Sequence, residues 1–115
     1  MMPCRGEVVL VRFPDSNLRT SKRRPALVVQ ADGLASELAQ TIVAMITSNM
    51  ARAGRRGRVL VPAEGETGNR TGLLMDSVVM TDNLATLHYS EIDRVIGSLA
   101  EMAEVDPALS LTLGL

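Results

Sequence analysis

At 115 residues, 46% of them apolar, the chain is long enough to bury one hydrophobic core and too short for two, so one domain over 1–115 is expected. Phe13 and Tyr89 are its only Phe and Tyr, and there is no Trp, which argues against a single-stranded nucleic-acid platform of stacked rings. The formal net charge of −1 hides a division: residues 1–58 carry ten Lys/Arg against four Asp/Glu (+6), and residues 59–115 carry two against nine (−7), so a folded domain has a basic half to offer to phosphates.

Residues 7–13 (Glu-Val-Val-Leu-Val-Arg-Phe) are β-branched and bounded by Gly6 and Pro14, a first strand with Arg12 pointing opposite to Val11 and Phe13. A polar, turn-rich loop over 14–20 follows. Lys22, Arg23 and Arg24 then run into Pro25, and an apolar strand is predicted over 25–30. The pyrrolidine ring restrains the backbone after Arg24, so a cation there stands at the mouth of a buried strand as a pre-positioned anion site. A solvated basic turn is the competing reading of the same residues. Residues 31–40 are mostly connection, with room for one helical turn at 35–38.

The run 41–48 (Thr-Ile-Val-Ala-Met-Ile-Thr-Ser) is a central, buried strand ending in two hydroxyls, with Asn49 next. A glycine-containing basic loop over 50–58 leads to a short strand at 59–62 and an acidic, Gly-rich turn at 63–70. A strand is predicted at 73–80, where Asp76 interrupts an apolar run and must be hydrogen-bonded or reach solvent. It continues through 81–87 to a turn at 88–91, and 95–99 is the last short strand. Two helical pieces are expected, 100–104 and 107–113, broken where Asp106 reads as an N-cap and Pro107 as a first-turn residue. Five to seven short strands with turn signals about every ten residues make a mainly β chain with minor α, a small antiparallel barrel or curled sheet with a C-terminal helix.

Most catalytic motifs are missing: there is no Walker loop, no Gly-x-Gly-x-x-Gly after a strand and no Gly-x-Ser-x-Gly elbow. One cysteine (Cys4) and one histidine (His88) cannot build a His/Cys metal cage, so neither metal nor cofactor is expected. A lone cysteine makes a reducing cytoplasm the expected setting. No apolar run reaches about 18 residues and the N-terminus lacks a signal-like pattern, so neither a membrane span nor secretion is expected. His88 reads as a turn residue, and Met45, Met75 and Met80 as core.

What remains stands on strand ends: Arg24 before the second strand, Thr47 and Ser48 closing the third, and Asp76 further on. Phosphoryl chemistry suits these types, because a guanidinium fork matches the non-bridging oxygens of a phosphodiester and a hydroxyl can donate to them. If the second and third strands pair antiparallel, the start of one and the end of the other share a side of the sheet. Arg55, Arg56 and Arg58 in the basic loop, with Arg19, Lys22, Arg23, Ser48 and Asn49, are candidates for holding a phosphate backbone, and a solvated basic loop is the competing reading of 50–58.

The segments Gly6-Glu7-Val8-Val9-Leu10-Val11-Arg12-Phe13-Pro14, Lys22-Arg23-Arg24-Pro25-Ala26-Leu27-Val28-Val29 and Ile46-Thr47-Ser48 resemble the MazF/PemK family of toxin ribonucleases. Gly72-Leu73-Leu74-Met75-Asp76-Ser77-Val78-Val79 and Ile96-Gly97-Ser98-Leu99 follow the same pattern in the same order. The resemblance covers nearly the whole chain. It implies an SH3-like barrel of the CcdB/MazF type, a cytoplasmic homodimer, a cognate antitoxin and metal-independent cleavage of single-stranded RNA. In such a reaction the substrate 2′-hydroxyl attacks its own phosphate, leaving a 2′,3′-cyclic phosphate and a 5′-hydroxyl. Carried over residue by residue, Arg24 is the acid and charge clamp and Thr47 the hydrogen-bond donor. Asp76 matches an acidic position used by some members. An arginine is a poor base, so these residues leave the base unassigned. Where some members carry an arginine two residues before that acid, this chain has Leu74, and the break at Asp106-Pro107 departs from the family's continuous last helix. A topoisomerase poison of the same fold and an inactive binding module remain open at this point.

Overall fold

The computed structural model describes residues 2–14, 21–34 and 37–115. Six strands form one sheet: β1 (Glu7–Pro14), β2 (Ser21–Val28), β3 (Gln40–Thr47), β4 (Arg58–Val61), β5 (Ser77–His88) and β6 (Ile92–Ser98), joined by helices α1 (Gly65–Thr71) and α2 (Val105–Leu113). The order across the sheet is β4-β5-β3-β2-β1-β6, and every pairing is antiparallel. The mainly β, barrel-like fold with a terminal helix is as expected, although among the described residues no ladder joins the edge strands β4 and β6.

The apolar runs lack polar alternation because both faces of their strands are covered. Val9, Val11, Ala26, Val28, Val43 and Met45 point into one buried cluster, and their neighbours Val8, Leu27, Ala44 and Ile46 into another. Val105, Ala108 and Leu109 of α2 join the second cluster, so that helix is held by core packing. A bulge shapes β5: Ala44 pairs with Leu84 but Met45 with Met80, which extrudes Thr81, Asp82 and Asn83 from the β3 ladder. The buried Thr81 hydroxyl donates to the Gly57 carbonyl (2.6 Å) and lies 2.8 Å from the Thr112 hydroxyl, fastening α2 and the approach to β4 together.

Several boundaries differ from expectation. β2 starts at Ser21, so Lys22–Arg24 belong to the strand itself, paired with β1 (Val11 with Arg24, Arg12 with Arg23). The supposed turn at 63–70 contains α1, in which Gly65 and Gly68 weaken the local helix signal. Contact holds it instead: Gly68 is buried where a Cβ would strike the Pro62 and Ala63 backbone, and Arg70 pairs with Glu66 at 2.8 Å. Residues 73–76 are not strand, because Gly72 ends α1 with φ 73° and turns the chain away. Met75 on this connection is 61% exposed, unlike Met45 and Met80 in the core.

β6 begins at Ile92, earlier than expected. The turn after His88 is a single 3₁₀ turn, Tyr89–Glu91, capped by the imidazole Nδ1 accepting the Ser90 N–H (3.1 Å). Residues 100–104 are not helical and α2 is continuous from Val105 through Asp106 and Pro107, so the predicted break is absent. Asp106 is not the cap; its carboxylate accepts from Arg5 Nη2 at 2.7 Å, tying α2 to the chain start. The helical turn considered at 35–38 and the polar loop over 14–20 fall largely outside the described residues. Among the described residues no helix is long and apolar enough to cross a membrane.

Candidate functional site

The site begins where two central strands part. β2 and β3 pair through Val28–Val43, Leu27–Ala44 and Ala26–Met45, and there their mutual ladder ends. Beyond it, residues 21–25 of β2 stay paired only with β1, while Ile46 and Thr47 of β3 stay paired only with β5. Continuing the lost register by two residues sets Arg24 across from Thr47. Pro25, which has no N–H to give, sits where β2 has left β3, a tolerable place for proline in a central strand.

The splay opens a cavity of about 490 Å³ whose wall includes Arg23, Arg24, Thr47 and Ser48. Arg24 and Thr47 therefore meet at one depression. Arg24 is exposed and, among the described residues, has no carboxylate partner, whereas Arg23 lies 3.5 Å from Asp93. The Thr47 hydroxyl accepts the Asn49 N–H at 3.1 Å. That bond occupies a lone pair and leaves the hydroxyl proton to be donated elsewhere, which is the role an anion in the cavity requires.

The other sequence-predicted residues divide. Asn49 borders the site through its backbone, while its side-chain oxygen caps the 3₁₀ turn Met50–Arg52 by accepting the Ala51 N–H (3.1 Å). Asp76 is not on the cavity wall; its carboxylate accepts the Ala63 N–H at 2.9 Å and pins the loop after β4. Lys22, Arg55 and Arg56 are exposed but do not border the cavity. Arg58 is committed elsewhere, with two 2.8 Å bonds to Asp82 and one of 2.8 Å to the Arg52 carbonyl. The hydrogen bond from Arg58 holds the Asp82 carboxyl below the usual carboxylate range, and Asp82 raises the Arg58 guanidinium in turn. Arg19 lies outside the described residues.

The sequence reading passed over Arg94 on β6, an exposed cation on the same wall. A signal existed: Arg94 and Arg70 are the only cations in residues 59–115. It also passed over the apolar part of the wall, Leu10, Leu73, Leu74, Met75 and Ile96.

The description of the PemK-like, MazF-like toxin of type II toxin-antitoxin systems matches residues 4–113. Endoribonuclease MazF6 of Mycobacterium tuberculosis is 40% identical over 105 residues, spanning 89% of this chain and 88% of that protein. The solved Mycobacterium tuberculosis toxin MazF-mt6 superposes with a TM-score of 0.67 at 28% identity, over 94% of this chain and 92% of that one. A mycobacterial endoribonuclease solved in complex with its cognate antitoxin gives a TM-score of 0.75 at 23% identity, over 98% and 96% of the two chains, and shares the fold.

Proposed function

Since this chain belongs to the PemK-like, MazF-like toxins of type II toxin–antitoxin systems, we propose that it is an endoribonuclease cutting single-stranded RNA at the cleft between β2 and β3. The observation that carries the reading is the shared cavity of Arg24 and Thr47, with the Thr47 hydroxyl already accepting from Asn49. A phosphodiester seated there meets a guanidinium fork on one wall and a hydroxyl donor on the other.

The reaction is an internal transfer. The ribose 2′-oxygen forms a bond to the adjacent phosphorus as its proton leaves, and the bond from phosphorus to the 5′-oxygen breaks. The departing oxygen takes up a proton, giving a 2′,3′-cyclic phosphate and a 5′-hydroxyl. Negative charge grows on the non-bridging oxygens, where Arg24 clamps it and Thr47 donates to it. Arg24 also stands as the acid for the leaving oxygen. Arg94 and Ser48 border the same cavity and add charge and a further donor. Lys22, Arg55 and Arg56 steer the backbone from outside it, and Arg23 from its wall. Asp76 serves by fixing the neighbouring loop.

Residues 1–115 act as one toxin domain in the cytoplasm, as a homodimer held in check by an acidic, partly disordered antitoxin that folds onto the basic surface. The test is cleavage of single-stranded RNA in EDTA. Wild type is expected to cut and to leave cyclic phosphate ends, and Arg24→Ala to lose at least about 10²-fold, as when a transition-state charge stabiliser is removed. Unchanged cleavage by Arg24→Ala would refute the assignment. Inhibition of a topoisomerase without RNA cleavage would favour the poison reading.

A further inference from the structure

The cavity is two-faced: beside the Arg24–Thr47 end stands an apolar wall of Leu10, Leu73, Leu74, Met75 and Ile96. Leu74 is 95% exposed and Met75 61% exposed, two consecutive large apolar side chains in water beside a charged clamp. The segment that carries them is fastened at several points. Gly72 turns it with φ 73°, and the Leu73 N–H donates to the Thr71 hydroxyl at 3.2 Å. The Ser77 hydroxyl donates to the Met75 carbonyl at 2.8 Å, and Asp76 holds the Ala63 N–H at 2.9 Å. Exposed apolar groups on an anchored backbone are prepared for a ligand face before it arrives.

Resting on the ribonuclease reading, we propose that Leu74 and Met75 hold the base of a nucleotide flanking the scissile phosphate and so help to decide where the chain cuts. A nucleotide divides as the cavity does: its phosphate needs cations and donors, and its base offers two flat, weakly polar faces. Tyr89 does not border the cavity, and among the described residues that line it there is no Phe, Tyr or Trp. Leu74 offers a base face aliphatic contact, and Met75 a sulfur–aromatic contact. An acidic peptide would find partners at the Arg24 end only, and its charges would gain nothing from this wall.

The test uses the full-length protein and a short RNA bearing one mapped cut site, intact or with an abasic nucleotide on either side of the cut. Wild type is expected to lose about tenfold or more in kcat/KM when one particular flanking base is missing. A Leu74→Ser, Met75→Ser double variant is expected to fall by a similar factor on intact RNA, mainly through KM, and to ignore the abasic change. Because both side chains are exposed, its melting temperature should match wild type. No abasic penalty in wild type, or the same penalty in the variant, overturns the proposal. So does a variant with normal cleavage that has lost only self-association or antitoxin binding, which would make the wall a protein contact. Arg24→Ala, run in parallel, separates the two levels. If it cuts like wild type the ribonuclease site itself is misplaced, whereas if it is inactive and the abasic penalty is absent, only the base-holding role fails.

Discussion

Replacing Gly72 by alanine tests whether the loop beside the cavity is built around a missing side chain. Gly72 has φ 73°, and an added Cβ would strike the backbone carbonyl of Ile96 in β6. The left-handed backbone costs an alanine about 1–2 kcal/mol. The collision is with main chain, which cannot swing aside, and overpacking of that kind costs about 1–3 kcal/mol. Alanine's stiffer unfolded chain returns about 0.4–1 kcal/mol. The net expectation is a loss of about 1–5 kcal/mol, centred near 3. Gly65→Ala is the internal control: its φ is also positive, 89°, but no atom lies within 4 Å of the new Cβ, so only the backbone cost of about 1 kcal/mol applies. Urea unfolding at one fixed protein concentration measures both, since self-association would make stability concentration-dependent. If Gly72→Ala proves no more destabilising than Gly65→Ala, the close approach of this loop to β6 is wrong, and with it the anchored apolar wall.

Thr47→Val keeps the β-branched shape and removes the donor, so single-turnover cleavage should fall about 10²-fold with little change in melting temperature, while Thr47→Ser keeps most of the rate. Thr81→Val removes the hydroxyl's bond to the Gly57 carbonyl, which keeps the Thr81 N–H, and its 2.8 Å contact with the Thr112 hydroxyl, and should cost about 0.5–1.5 kcal/mol in urea unfolding. Arg58 holds the folded-state pKa of Asp82 below its unfolded value, so this pair contributes stability above about pH 4 that is lost as pH falls through the depressed value. Asp82→Asn should flatten that acid limb in thermal melts against pH. The effect is small, under about 1 kcal/mol, because the Asp82 side chain is 44% exposed.

Much of the fold was legible because its strands are short, β-branched runs between turn residues, and the meeting of Arg24 and Thr47 at one cavity was legible because antiparallel pairing brings a strand start to a strand end, while the roles proposed for them come from the family resemblance. α1 was not, because Gly65 and Gly68 are poor helix formers and only the close packing of Gly68 against Pro62 and Ala63 shows why a glycine is needed. The start of β5 was misplaced for a related reason, as Leu73-Leu74-Met75 has the composition of a strand and the exposure of a loop. Arg58 resembled its neighbours Arg55 and Arg56 until Asp82, extruded by the bulge in β5, was seen to hold it. Arg94 joined the site across β1 and β2, a relation set by strand order and invisible to local pattern.

A double-mutant cycle joining Arg24→Ala and Thr47→Val, read as single-turnover RNA cleavage in EDTA, tests most directly whether these groups grip one phosphate. Each single change is expected to cost about 10²-fold or more, and the pair clearly less than the product of the two losses, because groups acting on the same transition-state charge are not independent. Losses that multiply in full, or a single variant that cuts at the wild-type rate, would contradict it.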